Sequence, residues 1–417
     1  MSFGSSMTAS SSLEVFRMKE KATPFAPIEL VVVQATSFCN MNCRYCYLTE
    51  ETRKTTDKIS LPQIESYFSK IFQSRFLADR IVVSWHSGEP LVLGTDYYEA
   101  AFKCITRIAD DICDSPVEIL HDFQSNGTLI DEKWCRFFRK YSKTVTVGIS
   151  CDGPSTMHDF CRLDWKGSGT FDKTLRGIDL LIEHDIKFGL IAVVTPHALT
   201  DPDTFFEFFY GYRKHISEFR FNLLDQFTES GEFSYENSRS QYYSFLKRVL
   251  DRIDALDDGD ELLNIKNFSY FYNRVFSSRE ERQKQTAAHM CQPFRAFNIA
   301  TNGDVSTFYA GVSVDECQDI YGDKNGLVIG NLNDDDLDTI AASSKAATIV
   351  RDFRHSHAVC EQSCPYFELC PGGYNLIKYN RYGRFDVAET PECRLQVQTF
   401  TNALLDHINE RLEQTAS

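Results

Sequence analysis

Six apolar runs of strand length, separated by stretches with helical spacing, dominate residues 28–224 and leave the first half of the chain few ways to fold. The runs are IELVVVQATS from Ile28, IVVSWH at 81–86, VEILHDFQS at 117–125, TVTVGIS at 144–150, KFGLIAVVT at 187–195 and FRFNLL at 219–224. Nearly continuous apolar runs suit parallel strands covered on both faces. Between them, LPQIESYFSKIFQS, DYYEAAFKCITRIADDI, DEKWCRFFRKYS and TFDKTLRGIDLLIEH repeat their apolar residues at helical intervals. Alternation of this kind predicts an α/β fold with a parallel sheet, either a partial barrel or a doubly wound sheet. Residues 1–27 are Ser-rich and expected to be a disordered tail, 28–235 form the sheet domain, and 236–290 read as a charge-rich helical connector. From Cys291 to residue 417 short strands, Gly-Asp turns and cysteines predict a second, smaller domain closed by the amphipathic helix RLQVQTFTNALLDHINERLEQ.

Composition narrows the possible partners. A net charge of −15 leaves no basic surplus for phosphate contacts, so nucleic acid is not expected and a neutral or basic peptide fits better. No apolar stretch reaches the roughly 18 residues a membrane span needs. The N-terminus also lacks a signal peptide, which places the chain in the cytoplasm. In a reducing compartment, 14 cysteines are not a disulfide framework. Cys104, Cys113, Cys135, Cys151, Cys161 and Cys317 stand singly and read as inert thiols, whereas most of the others fall into two groups.

The first group, Cys39-Asn-Met-Asn-Cys43-Arg-Tyr-Cys46, follows the first strand, at the strand end where barrel enzymes place their chemistry. Three thiolates leave one iron of a 4Fe–4S cluster open to another ligand. A zinc site completed by a distant fourth ligand is the competing reading. The C-x-x-x-C-x-x-C pattern with Tyr45 before its last cysteine resembles the signature of the radical S-adenosylmethionine family. The resemblance implies a partial (β/α)6 barrel in which the open iron chelates the methionine end of S-adenosylmethionine, and an electron cleaves the sulfonium to a 5′-deoxyadenosyl radical. It also implies cofactor contacts from Tyr45, from Ser87, Gly88 and Glu89 in a segment similar to the family's G-G-E-P element, and from Asn126, Ser150 and Arg162 near later strand ends.

The second group, Cys360, Cys364, Cys370 and Cys393, resembles the C-terminal SPASM domain, which in many peptide-modifying radical enzymes carries two auxiliary 4Fe–4S clusters. Here Phe308 and Tyr374 stand where the family has two ligands of one cluster, which leaves Cys291 an orphan. The other four cysteines imply one auxiliary 4Fe–4S cluster, with a closed four-Cys zinc site as the alternative.

The segments VVVQATSFCNMNCRYCYL, VVSWHSGEPLV, GDVSTF, GNL, CPYFELCPGG and ETPECRL are similar to SPASM maturases of ribosomally made peptides, those of the glycine-rich-repeat and three-residue cyclophane type. That resemblance implies abstraction of a β-hydrogen from a precursor peptide and an oxidative crosslink to an aromatic ring, with a flavodoxin or ferredoxin as electron donor. A thioether-forming or sulfatase-type protein maturase is the alternative, and a non-catalytic iron–sulfur or zinc scaffold that binds peptides is the alternative of another class. A base is required, and Asp152, Asp225 and His121 are the candidates, with Tyr374 behind them. Residues 1–38 are too few for a winged-helix leader-binding domain, so leader recognition is expected on the connector at 236–285.

Overall fold

The computed structural model describes residues 27–224, 235–256, 262–285, 294–307, 320–322, 326–370, 372 and 375–416. Six parallel strands, β1 (Ile28–Val33), β2 (Leu77–Trp85), β3 (Glu118–Ser125), β4 (Val145–Ser150), β5 (Phe188–Val194) and β6 (Ile216–Leu223), lie side by side in chain order. A doubly wound sheet would reverse its strand order at a switch point. The unreversed order is that of the partial barrel.

Strand parity separates the two faces of this sheet. Val83, Trp85, Phe123, Val147, Ile149, Leu190, Ala192, Phe219 and Phe221 are buried under the helical layer. The alternate positions face the lumen and include a polar row: Ser84, Asp122 and Thr146 sit in register across β2, β3 and β4. Asp122 accepts from Thr146 Oγ1 at 2.7 Å and from Ser84 Oγ at 3.2 Å. The outer layer is strongly aromatic. Phe123 meets the ring edge of Tyr98 with centroids 4.7 Å apart, on the helix Thr95–Ile112, and packs on Trp134 and Phe138 of Glu132–Lys140.

The sheet continues past the barrel into the C-terminal region. β7 (Ala296–Ile299) pairs in parallel with β1, and β8 (Asp304–Thr307) and β9 (Val328–Asn331) follow antiparallel. An uncovered β1 would expose an unpaired strand edge, which β7 satisfies. Lys70 adds hydrogen bonds to the carbonyls of Leu332 at 2.6 Å and Asp335 at 3.0 Å. The connector helix Tyr235–Asp254 is held to the last helix, Phe400–Ala416, by Tyr243 to Asp406 at 2.7 Å and His407 to Asp254 at 2.8 Å. No helix among the described residues is long and apolar enough to cross a membrane.

Replacing Phe123 with Ala should empty the centre of the aromatic layer and lower the unfolding free energy by about 3–5 kcal/mol, read from anaerobic chemical denaturation.

Candidate functional site

The cysteine loop leaves the C-terminal end of β1 and is fixed mainly by residues other than its cysteines. Gly88 lies against it so closely that a Cβ would stand 2.6 Å from the Thr36 carbonyl oxygen and 2.8 Å from that of Phe38. Glu89 N donates to Phe38 O at 2.8 Å. Both Ser87 and Gly88 have φ of +73°, so at position 87 a side chain occupies backbone that glycine favours. The Ser87 hydroxyl is 3.0 Å from Tyr47 Oη, which also meets His86 Nε2 at 3.2 Å.

Glu89 is 1% exposed, and its carboxylate points inward. One oxygen accepts from Ser125 Oγ at 2.8 Å and Leu91 N at 3.0 Å, the other from Asn126 N at 2.8 Å. Burial pushes its pKa up to about 7 against the pull of these donors. The carboxylate thereby joins the loops after β2 and β3. From the second of these, Asn126 Nδ2 reaches Asn40 Oδ1 at 2.8 Å and lies 4.0 Å from Cys39 Sγ.

On the other side the loop is tied to the end of β4. Tyr45 donates to Asp152 Oδ2 at 2.7 Å, and Val193 N donates to Oδ1 at 2.9 Å. Arg162 Nε lies 3.1 Å from the same Oδ1 but is not aligned to donate, so that contact is ionic. The guanidinium lies over the Tyr45 ring, 5.4 Å from its centroid. Among the described residues its two terminal nitrogens make no hydrogen bond. Trp165 Nε1 donates to Cys39 O at 2.9 Å and Arg53 to Asn42 Oδ1 at 2.6 Å, which completes the cradle.

The thiols suit an iron–sulfur group. Burial pushes Cys39 up to about 12, with Glu89 and the neighbouring thiols adding to it, and Cys43 up to about 11. Thiolates at these positions therefore need a cation, and backbone Met41 N already points at Cys39 Sγ from 3.4 Å. The second set also comes together. Cys360 and Cys364 belong to or cap the helix Ser344–Ser363, and Cys393 follows the Thr390 cap. Burial raises the Cys393 thiol to about 12, with Cys370, Cys364 and Cys360 close enough to add to it.

The proposed bases fare differently. Asp152 is wholly buried, and both oxygens are engaged as described. His121 lies on the outer face of β3, stacked on Phe102 with centroids 3.7 Å apart and accepting from Trp85 Nε1 at 3.4 Å. It is held neutral by burial, which lowers its pKa to about 3, and it does not face the lumen. Parity with Phe123 on the same strand would have revealed this. Asp225, Tyr374, Cys291, Phe308 and Cys317 lie outside the described residues. Of the single thiols, Cys135, Cys151 and Cys161 are buried and Cys104 and Cys113 half-buried.

The lumen offers groups that sequence reasoning passed over. Gln124 lies across Gly148, where a Cβ would be 2.5 Å from its Oε1, and donates to Ser150 Oγ at 2.9 Å. His86 stands at the mouth with a buried Nδ1 that has no partner among the described residues.

Replacing Gly88 with Ala should push the cysteine loop away, with about 1–2 kcal/mol of backbone strain in addition to the clash. Iron in the anaerobically reconstituted chain should fall from about eight to about four per molecule, the remainder staying on the second set.

Residues 33–209 match the family described as the Radical SAM superfamily. An uncharacterized protein, sll1766, of Synechocystis sp. is 31% identical over 390 residues, covering 94% of each chain. A cysteine-type anaerobic sulfatase-maturating enzyme of Clostridium perfringens is 25% identical over 352 residues, covering 83% of this chain and 88% of the relative. A solved structure described as native anSMEcpe with bound AdoMet and Cp18Cys peptide shares the fold with a TM-score of 0.71 at 22% identity, over 94% of this chain and 99% of that one. The family's cofactors, S-adenosylmethionine and the 4Fe–4S cluster, are those a three-thiol loop at a barrel mouth can serve. The family match over residues 33–209, which runs from the last residue of β1 through β5 and holds the cysteine loop, agrees with the geometry of that loop: this protein is a radical SAM enzyme, a member of the radical SAM superfamily.

Proposed function

We propose that the chain is a peptide maturase which removes a β-hydrogen from one residue of a ribosomally made precursor and closes a carbon–carbon bond from that residue to a nearby aromatic ring. The observation that carries this reading is the presence, in one chain, of a three-thiol loop at the barrel mouth and a four-thiol group in the C-terminal region. Cys39, Cys43 and Cys46 hold the cluster that, with S-adenosylmethionine bound, supplies the radical. Cys360, Cys364, Cys370 and Cys393 hold an auxiliary cluster that supplies an electron sink. The crosslink is oxidative, so such a sink is needed.

Arg162 presents its terminal nitrogens to the cofactor's carboxylate, while Asp152 and Tyr45 hold the guanidinium in place. Ser87, Gly88, Glu89, Asn126 and Ser150 line the cofactor's approach, Glu89 by shaping the backbone around it. For the proton released on crosslinking, His86 is better placed than His121 or Asp152, because its Nδ1 has no partner among the described residues and it follows the end of β2. Burial lowers its pKa to about 4, so it stays unprotonated at neutral pH. Gly148 and Gly189 are in register, and at Gly148 the missing side chain makes way for Gln124, which lies across it. A flavodoxin or ferredoxin in a reducing cytoplasm is the donor this chemistry requires.

The Clostridium relative favours a second reading, maturation of a sulfatase-type protein at a single residue. Mass spectrometry of a co-expressed precursor separates the two. Loss of two hydrogens per modification, with fragmentation blocked between two linked residues, is expected. A change confined to one residue, or full retention of hydrogen, would replace the crosslink with another outcome.

Two assays address the radical step. Wild-type protein with a strong reductant should form 5′-deoxyadenosine, and the Cys39→Ala/Cys43→Ala/Cys46→Ala variant none. Replacing Arg162 with Lys keeps the charge and loses the fork, and should raise KM for S-adenosylmethionine by about tenfold, or about 1.4 kcal/mol, at unchanged iron content.

A further inference from the structure

Beside the four-thiol group stands a buried lysine that the reaction as described does not use. Lys378, on the helix Asn375–Tyr382, is 3% exposed. Its ammonium donates to Cys360 Sγ at 3.1 Å and to Ser356 Oγ at 2.8 Å, and lies 3.4 Å from Ser356 O. Ser356 in turn donates to Asn375 Oδ1 at 2.7 Å, which fixes the hydroxyl as an acceptor toward the lysine. Among the described residues no carboxylate pairs with Lys378. In the following segment, Glu392 Oε1 accepts from Arg381 at 2.6 Å and Glu389 from Arg394 at 2.6 Å. A dry ammonium without a counter-ion is costly, and the one source of negative charge it touches is a cysteine sulfur.

We propose that the Lys378 ammonium is the fixed counter-charge of the auxiliary cluster and, by donating to the Cys360 sulfur, favours the cluster's reduced form. The inference rests on the four-cysteine ligand set proposed above. Four thiolates around a 4Fe–4S core are net anionic, and reduction adds one more negative charge. A cation held a few ångströms away in a dry pocket stabilises the more negative state more, and so raises the potential. In the crosslinking reaction the substrate radical, once bonded to the ring, gives up one electron and one proton. An auxiliary cluster held by the four cysteines would take up that electron while the proton leaves to a base, and Lys378 would favour the electron's departure without touching the peptide. It is a positioning residue.

The test uses the full chain carrying Cys39→Ala, Cys43→Ala and Cys46→Ala, so that the auxiliary cluster alone is observed, in potentiometric titrations followed by electron paramagnetic resonance. Relative to this parent, Lys378→Met and Lys378→Gln should lower the reduced-to-oxidised ratio at a fixed potential by about tenfold or more, a midpoint shift of about 59 mV or more to the negative side. Lys378→Arg should stay near the parent value. Equal midpoints in all four proteins would overturn the proposal. Loss of iron from the Met and Gln variants with retention in Arg would support the counter-charge, whereas loss from all three would reduce Lys378 to a packing role and end the proposal. A parent with no 4Fe–4S signal at all would refute the ligand set itself and the inference with it, a failure told apart by the iron content of the unsubstituted lysine protein.

Discussion

The Asp152 carboxylate is wholly removed from solvent and still serves three partners, the Tyr45 hydroxyl, the Val193 amide and the Arg162 guanidinium. Asp152 takes its compensation for burial from two hydrogen bonds and one ionic contact, and breaking a buried ion pair typically costs about 3–5 kcal/mol. The cysteine loop benefits from this constraint without providing it. Tyr45 sits between two of the loop's cysteines, so anchoring its hydroxyl to the end of β4 fixes where Cys43 and Cys46 can point. A loop of this length would otherwise sample many arrangements, and three thiols held in one place are what binding a cluster at an open iron requires.

Glu89 does the same for the opposite side of the loop. Its inward carboxylate collects donors from three backbone or side-chain groups in two different loops, and Gly88 beside it permits a contact no other residue could make. The S-G-E-P element is therefore a brace between strand ends. Ser87 fits this picture: its unfavourable backbone is held by the Tyr47 hydroxyl, itself part of the cysteine segment.

How far this was readable in the sequence depended on the range of the interaction. The alternation of six strands with helices and the placement of Cys39, Cys43 and Cys46 at a strand end follow from local pattern and spacing, whereas the choice of a partial barrel and the grouping of Cys393 with Cys360, Cys364 and Cys370 rested on the family resemblance. The Tyr45–Asp152 bond joins residues 107 apart, and no local rule pairs them. Orientation was lost where both faces of a strand carry mixed residues. VEILHDFQS does not announce which of His121 and Asp122 turns inward, and only parity with Phe123 places His121 among the rings. Lys378 was overlooked because a lysine in an amphipathic helix ordinarily reads as surface.

The sheet itself crosses the boundary placed near residue 291. Short strands after a cysteine look like the start of an independent unit, yet an edge strand recruits any partner with the right register, and β7 supplies it for β1. The consequence reaches the cysteine loop directly. Gln34, the first residue beyond β1, donates through its amide to Ile299 O at 2.9 Å, and its carbonyl accepts from Thr301 Oγ1 at 3.1 Å. The segment leading into Cys39 is thus braced by β2 on one side and by the C-terminal region on the other. One continuous sheet carries both flanks of the strand from which the cysteine loop leaves.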